Sequence, residues 1–150
     1  MEQQSLLSDI EFNPVYASTG KRFLNYLIDF VIYYALTFCV GILIAAVGTT
    51  YLLNNFSVYL VAYATYFLYY FVCETVFSGK TVGKFITGTK AVNEDGTAIE
   101  PKTALLRTLC RLVPFEPLSA FGGHPWHDKW TKTMVIDVRQ TAMNDIAYQQ

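Results

Sequence analysis

Residues 22–29 read RFLNYLID, and this stretch places an arginine, an asparagine and an aspartate at the start of a long apolar segment. At about 100° per residue of an α-helix, Asn25 falls about 60° and Asp29 about 20° from Arg22, so the three side chains share one face. The residues around them are Phe, Leu, Ile, Tyr and Val. Because ionisable side chains in an apolar helix must be satisfied by partners, they indicate a functional site by default.

The composition favours a membrane protein. Of the 150 residues, 53% are hydrophobic and only 15% are charged, whereas a soluble domain carries about 25% charged residues. The length fits one domain. A net charge of −1 argues against nucleic acid as a partner, because phosphate binding requires a surplus of basic residues. The three cysteines follow no CxxC spacing, and we expect them to be small buried hydrophobic residues.

Two long apolar segments predict membrane spans over about residues 22–48 and 56–78. Asp29 is the only formal charge inside the first apolar run, and Glu74 is the only one inside the second. At about 1.5 Å per residue each run is long enough to cross a hydrocarbon core of about 30 Å. Buried helices of a soluble protein are the alternative. The short uncharged link over residues 49–55 predicts that the two spans form an antiparallel hairpin.

The basic residues predict the orientation of this hairpin. Lys21 and Arg22 precede the first span, and the link between the spans has neither lysine nor arginine. Four lysines follow the second span: Lys80, Lys84, Lys90 and Lys102. By the positive-inside rule we expect both termini in the cytoplasm and the link outside. We also expect a polar arm over residues 1–14, which lacks the basic start and apolar core of a signal peptide, and a polar tail over residues 139–150.

After the second span the sequence predicts a small β element. FITGTKAV (residues 85–92) and TKTMVIDV (residues 131–138) alternate as strands do and are expected to pair with each other. The EDG turn at residues 94–96 is typical of a hairpin tip. GKT at residues 79–81 is not a phosphate-binding loop, because the glycine that should precede it is missing.

One further helix is predicted to begin near Thr103, with Arg107 and Arg111 one turn apart on one face. Only twelve residues separate Arg111 from His124, which is too few for a third span. We therefore expect an amphipathic helix at the cytoplasmic interface, followed by a kinked or re-entrant stretch. The predicted fold class is mainly α and membrane-embedded: an antiparallel transmembrane helix hairpin, a cytoplasmic-side amphipathic or re-entrant helix and a small β element.

Four segments in this order resemble the RDD family of small integral membrane proteins: GKRFLNYLID, GKTVGKFITGTKAVNEDG, RTLCR and WHDKWTKTMVI. The family is named for an arginine and two aspartates, and the resemblance places these on Arg22, Asp29 and Asp128. It covers about residues 15–138. Many relatives carry a longer apolar stretch, readable as a further span, where this chain has LVPFEPLSAFGG. Some members are similar to sodium–proton antiporters and others to accessory modules of membrane complexes; we expect the bacterial inner (plasma) membrane.

The functional expectation depends on Asp29 and Glu74. In an antiparallel hairpin both carboxylates lie about 10 Å inside the same boundary, and two close carboxylates in a poorly hydrated site do not both ionise easily. A carboxyl that exchanges a proton for a cation is what proton-coupled transport requires. Alternatively, arginines hold both as buried salt bridges that only specify helix packing. The candidate residues on either interpretation are Arg22, Asn25, Asp29, Glu74, Arg107, Arg111 and Asp128.

Two functions follow from these alternatives. The first is exchange of monovalent cations for protons; because two spans cannot enclose a path, it requires a homo-oligomer or another membrane protein. The second is a non-transporting scaffold or accessory module that binds other membrane proteins. We expect no enzyme activity, since no nucleophile triad is present, and no cofactor. We also expect no metal at His124 and His127, because Pro125 interrupts their helical spacing.

Overall fold

A computed structural model describes residues 14–48, 50, 54–113 and 125–148, with side chains up to residue 144. Most of the predicted arm, most of the predicted 49–55 link, the predicted re-entrant stretch and His124 lie outside the described residues. In chain order the elements are α1 (Thr19–Ala46), α2 (Asn55–Val76), α3 (Val82–Thr87), β1 (Thr89–Asn93), α4 (Pro101–Arg111), α5 (Trp126–Thr131), β2 (Thr133–Asp137) and α6 (Val138–Tyr148). The predicted class, mainly helical with a small β element, is confirmed.

Helices α1 and α2 are both long and apolar enough to cross a membrane. Helix α1 begins after Ser18, whose hydroxyl accepts from the Lys21 N–H, and α2 begins with a capping box between Asn54 and Ser57. The Tyr33 and Tyr66 rings meet edge to face at 5.3 Å. Asp29 contacts Tyr69, whereas Tyr33, further along α1, donates to the carbonyl of Ala62, earlier in α2. The helices therefore run antiparallel, and their bounds agree with the two predicted spans.

Helices α1 and α2 bury polar side chains and expose apolar ones, which is the reverse of the helices in a soluble protein. The only buried residues of α1 are Asn25 and Asp29, while apolar side chains such as Phe38 (71% exposed) and Phe56 (76% exposed) point outward along the hairpin. Water would penalise such a surface, because each exposed Å² of apolar area costs about 25 cal/mol. A hydrocarbon environment removes this penalty, which supports the membrane interpretation over buried helices of a soluble protein.

Strands β1 and β2 pair antiparallel, with Ala91 opposite Val135, so the predicted pairing is confirmed. Residues 94–96 turn the chain back to an isolated bridge between Val92 and Ala98, as expected of the EDG tip. The segment before α1 covers the other side of β2, where the Ala17 N–H donates to the Val135 carbonyl at 2.9 Å. We call residues 79–111 and 125–137 the base, because they form one unit at the polar end of the hairpin.

The prediction of a strand from residue 85 was wrong for its first half. Residues Val82–Thr87 form the short helix α3, and the strand begins only after Gly88. Thr81 caps α3 through a bond from the Lys84 N–H, and Gly88 ends it in the left-handed conformation at φ 70°. The alternation of FITGTKAV therefore spans a helix end and a strand start, and tertiary contacts to α1 described below favour the helix.

Helix α4 begins at Pro101, not near Thr103 as predicted. Glu100 precedes the helix and the proline occupies its first turn, where no intrahelical partner for an N–H is needed. Its buried face carries Arg107 and Thr108, whereas Leu106 and Leu109 are each 46% exposed. Helix α4 is therefore amphipathic, as predicted, with Arg107 inward and these leucines outward; its position at a membrane interface stays a prediction.

Helix α6 occupies most of the predicted polar tail. It follows β2 directly, and the buried Thr141 hydroxyl accepts a bond at 3.1 Å from the Val15 N–H. At the start of α1, the Lys21 ammonium pairs with the buried carboxylate of Asp137. The bond from Lys21 lowers the pKa of the Asp137 carboxyl. Both contacts hold α6 and β2 against the entry to α1.

Candidate functional site

The Glu74 carboxylate is completely buried at the end of α2 and binds three cationic side chains. Lys84 Nζ lies 2.8 Å from its Oε1, Arg107 Nε lies 3.0 Å from Oε2, and Arg111 Nη2 lies 2.9 Å from Oε1. The lysine comes from α3 and the two arginines from α4, one turn apart. Glu74 therefore holds three helices together at one point.

Arg107 connects this carboxylate to a second one. Its Nη1 donates to Asp128 Oδ1 at 2.7 Å and also contacts the Thr133 hydroxyl. Asp128 uses its other oxygen, Oδ2, to accept from Arg22 Nη1 at 2.9 Å. Arg107 is fully buried, and Arg22 and Asp128 have side-chain exposures of 9% and 4%. These side chains form the ion cluster, which consists of Arg22, Glu74, Lys84, Arg107, Arg111 and Asp128.

Asp29 has a different kind of environment. Its carboxylate accepts from the Tyr69 hydroxyl and the Thr81 hydroxyl, both at 2.6 Å, and from the Gly83 N–H at 2.8 Å. Within the described residues no cationic group lies within ion-pair distance of it. The predicted sharing of one site by Asp29 and Glu74 is therefore not what the structure shows, because each carboxylate has its own set of donors.

The contacts of Asp29 also position α3. Gly83 lies against α1 so closely that a Cβ there would be 2.5 Å from the Asn25 carbonyl oxygen. The Asn25 side-chain amide, in turn, lies between the hydroxyls of Thr87 and Thr89. The polar face of α1 thus binds the segment that carries Lys84 and holds it next to α2.

The ion cluster carries more positive than negative charge. Its four cations and two carboxylates sum to +4 − 2 = +2, and Asp29 adds one negative charge nearby. Burial lowers the pKa of the Lys84 ammonium to about 8, with repulsion from the two arginines adding to burial and attraction to Glu74 opposing it. His127 lies 3.4 Å from Asp128; burial, followed by the nearby arginines, lowers its pKa well below the usual value and keeps the ring neutral.

The structure brings five of the seven predicted residues into one cluster and leaves Asn25 and Asp29 beside it. Sequence reasoning missed Lys84, Tyr69, Thr81 and Gly83 as partners. Lys80 and Lys84 both follow the second span at glycine-rich positions, so the sequence offers no signal that separates the buried Lys84 from the partly buried Lys80. The hydroxyls and the glycine N–H are common groups that acquire their role only through the fold.

Comparison with known proteins gives one match. The family model described as "RDD family" matches residues 16–143, which is 143 − 16 + 1 = 128 of the 150 positions and includes both spans and the base. The resemblance carried by the sequence motifs is thereby confirmed. The comparisons with curated proteins and with solved structures found no match.

Proposed function

The chain belongs to the RDD family, and we propose that it is a non-transporting, non-enzymatic membrane module that binds the transmembrane helix of another membrane protein. In this proposal the ion cluster holds the base to the hairpin, and the lipid-facing surface of α1 provides the contact. The observation that carries it is the charge of the cluster, which is positive where a cation-binding site would need to be negative.

A bound monovalent cation would have to displace a lysine or arginine from the cluster. Glu74 is already bound by three cations and Asp128 by two. Separating a buried ion pair by removing one partner costs about 3–5 kcal/mol, which a weakly held sodium or potassium ion does not offset. The cluster is therefore suited to a structural role that sets how the three helices pack.

The contact surface is a shallow, open groove on the outer side of α1, lined by Tyr34, Thr37, Phe38, Gly41, Ile42 and Ala45. Thr37, Gly41 and Ala45 recur every fourth residue, so small side chains form its floor. Stripes of small residues allow another helix to approach closely in a bilayer, where packing is the main source of association. The Thr37 hydroxyl already donates to the Tyr33 carbonyl at 2.9 Å, so the groove floor needs no polar partner.

The same proposal places the base in the cytoplasm, at the bacterial inner membrane. The entry to α1 and the segment after α2 carry the basic residues, and the base joins both at one end of the hairpin. A cysteine introduced at Asp95, in the exposed turn after β1, is expected to react with an impermeant thiol reagent only from the inner side. Labelling of this position in intact cells would contradict the orientation.

Photo-crosslinking in native membranes tests the partner contact. A photoreactive amino acid at Phe38, in the groove, is expected to give a discrete protein adduct. The same group at Leu43, which is 64% exposed on the side of α1 away from the groove, is expected to give only lipid adducts. Ala45→Leu should reduce the adduct several-fold because it fills the groove, whereas Ala46→Leu, the same change one residue further along, should leave it intact. Lipid adducts alone at Phe38 would overturn the proposal.

Exchange of a monovalent cation for a proton by an oligomer is the second candidate function, and Asp29 favours it. This buried carboxylate has hydroxyl and N–H donors but no cationic partner among the described side chains, so no lysine or arginine neutralises the negative charge that a bound cation would need. Proteoliposomes with an internal pH dye test it. A sodium- or potassium-dependent proton flux that Asp29→Asn abolishes would establish exchange; flux equal to that of empty liposomes would exclude it.

A further inference from the structure

Lys84 is a buried charged residue that sequence reasoning did not select. It lies on α3, a six-residue helix, with its side chain only 5% exposed. Its ammonium donates to Glu74 Oε1 at 2.8 Å and to the Gly79 carbonyl at 3.3 Å. A lysine buried to this degree needs a specific reason to remain charged, because removing an ammonium from water is costly.

The charged and titratable groups around Lys84 come from all the elements packed near it. Helix α2 provides the attractive carboxylate of Glu74 and the buried thiol of Cys73, and α4 provides the repulsive guanidinium groups of Arg107 and Arg111. Helix α1 provides the carboxylate of Asp29, which binds the start of α3. Helix α5 provides the neutral imidazole of His127 and the carboxylate of Asp128.

Among the members of the ion cluster, Lys84 is the one that can change charge without breaking the others apart. The guanidinium groups of Arg22, Arg107 and Arg111 stay protonated at any physiological pH. The two carboxylates are each bound by at least two cations, so protonating either would give up several ion pairs. A neutral Lys84 amine, in contrast, still donates a hydrogen bond to Glu74.

We propose that Lys84 is the proton-binding site of the ion cluster. It takes up a proton as the pH falls through the slightly alkaline range, and this raises the net charge of the cluster from +1 to +2. Lys84 releases the proton as the pH rises. The site does not depend on which of the two functions above applies, since it follows from an excess of cations around one buried carboxylate.

The effect of the surroundings agrees with this assignment. Burial lowers the pKa of Lys84 to about 8, from 10.5 for a free lysine, and the repulsion from Arg107 and Arg111 acts in the same direction. The attraction to Glu74 keeps the pKa from falling further. A lysine with this property exchanges a proton close to the pH of a bacterial cytoplasm, unlike an exposed one.

Nuclear magnetic resonance of the full chain in lipid nanodiscs, with the ε-carbons of its lysines labelled with carbon-13, tests the proposal directly. One lysine signal is expected to titrate between about pH 7 and 9. Lys84→Met should remove this transition, and Lys80→Met should keep it. Lys80 is a matched control because it lies four residues earlier and packs on the Phe85 ring at 5.1 Å.

Each outcome decides the question. No lysine transition between about pH 7 and 9 in the wild-type chain would overturn the proposal, and so would a transition that persists in Lys84→Met. If Lys84→Met does not fold, Lys84→Arg keeps the positive charge but cannot release a proton in this range. Loss of the transition in Lys84→Arg supports the assignment, and its retention refutes it.

Discussion

Replacement of Glu74 by glutamine is expected to destabilise the base more than replacement of Arg107 by methionine, although both residues are fully buried. Glu74→Gln breaks three ion pairs and raises the cluster charge from +2 to +3. This should cost at least about 3–5 kcal/mol, the usual effect of leaving a buried charge without its partner. Arg107→Met lowers the charge to +1, so we expect a smaller loss of about 1–3 kcal/mol.

The two variants differ because of what each leaves behind. After Arg107→Met, Glu74 keeps Lys84 and Arg111, and Asp128 keeps Arg22. After Glu74→Gln, three cations remain close together with no carboxylate between them. Because the ion cluster has an excess of positive charge, we expect removal of the Glu74 carboxylate to destabilise the base more than removal of the Arg107 guanidinium, although Arg107 bridges both carboxylates.

Alkylation of Cys73 measures this difference. Cys73 is buried next to Glu74, and a background with Cys39→Ala and Cys110→Ala leaves it as the only thiol. Since every 1.4 kcal/mol changes an equilibrium about tenfold, we expect the opening-limited reaction to accelerate about 100-fold or more in Glu74→Gln and about tenfold in Arg107→Met. Glu94→Gln, in an exposed turn, is the control. Equal or faster alkylation in Arg107→Met would refute the reasoning.

Three further predictions concern the polar face of α1 and the pH dependence. Asp29→Asn should destabilise the chain by about 1–3 kcal/mol, because the new amide NH₂ would face donors that now bind a carboxylate oxygen. Thermal unfolding in detergent measures this loss, and an unchanged unfolding midpoint would contradict the prediction. Gly83→Ala should destabilise the chain by a similar amount, about 1–3 kcal/mol, because the new Cβ would lie 2.5 Å from the Asn25 carbonyl oxygen. Gly20→Ala is the control: a Cβ there has no neighbouring atom within 4 Å, so this variant should unfold like the wild type. The pKa of Lys84 is about 8 in the folded chain, whereas that of a free lysine is 10.5. Between these two pH values the unfolded chain therefore binds more protons than the folded chain. The contribution of Lys84 to the free energy of unfolding should thus increase with pH across this interval. Unfolding midpoints of wild type and Lys84→Arg compared across the same pH range test the sign, and a wild-type curve parallel to that of the variant would contradict it.

The spans and the amphipathic character of α4 were predictable because they depend on local composition. Transfer of a segment into hydrocarbon depends on the side chains of that segment alone, so the apolar runs around Asp29 and Glu74 indicate helices without knowledge of any partner. The pairing of β1 with β2 was also predictable, since alternation marks both strands. The start of α4 differs from the prediction by two residues, because a proline fits the first turn of a helix, where its missing N–H needs no partner.

The partners in the ion cluster, in contrast, depend on the tertiary structure. Arg22 and Asp128 are 106 residues apart in sequence, and Glu74 and Arg107 are 33 apart; nothing in the chain between them indicates which oxygen meets which nitrogen. The same holds for residues 85–87, where contacts of α3 to the polar face of α1 favour helix over the strand that their alternation suggests.

The sequence by itself determined that RFLNYLID places polar side chains on one face of a membrane helix and that these side chains need partners. The tertiary structure decided that Asp29 binds hydroxyls and an N–H, that Glu74 binds three cations, and that Lys84 joins them. The physical reason is the difference in range between the two effects. Solvation of an apolar segment is a sum over its own residues, whereas a buried charge is satisfied only by groups that the whole fold brings within about 3 Å.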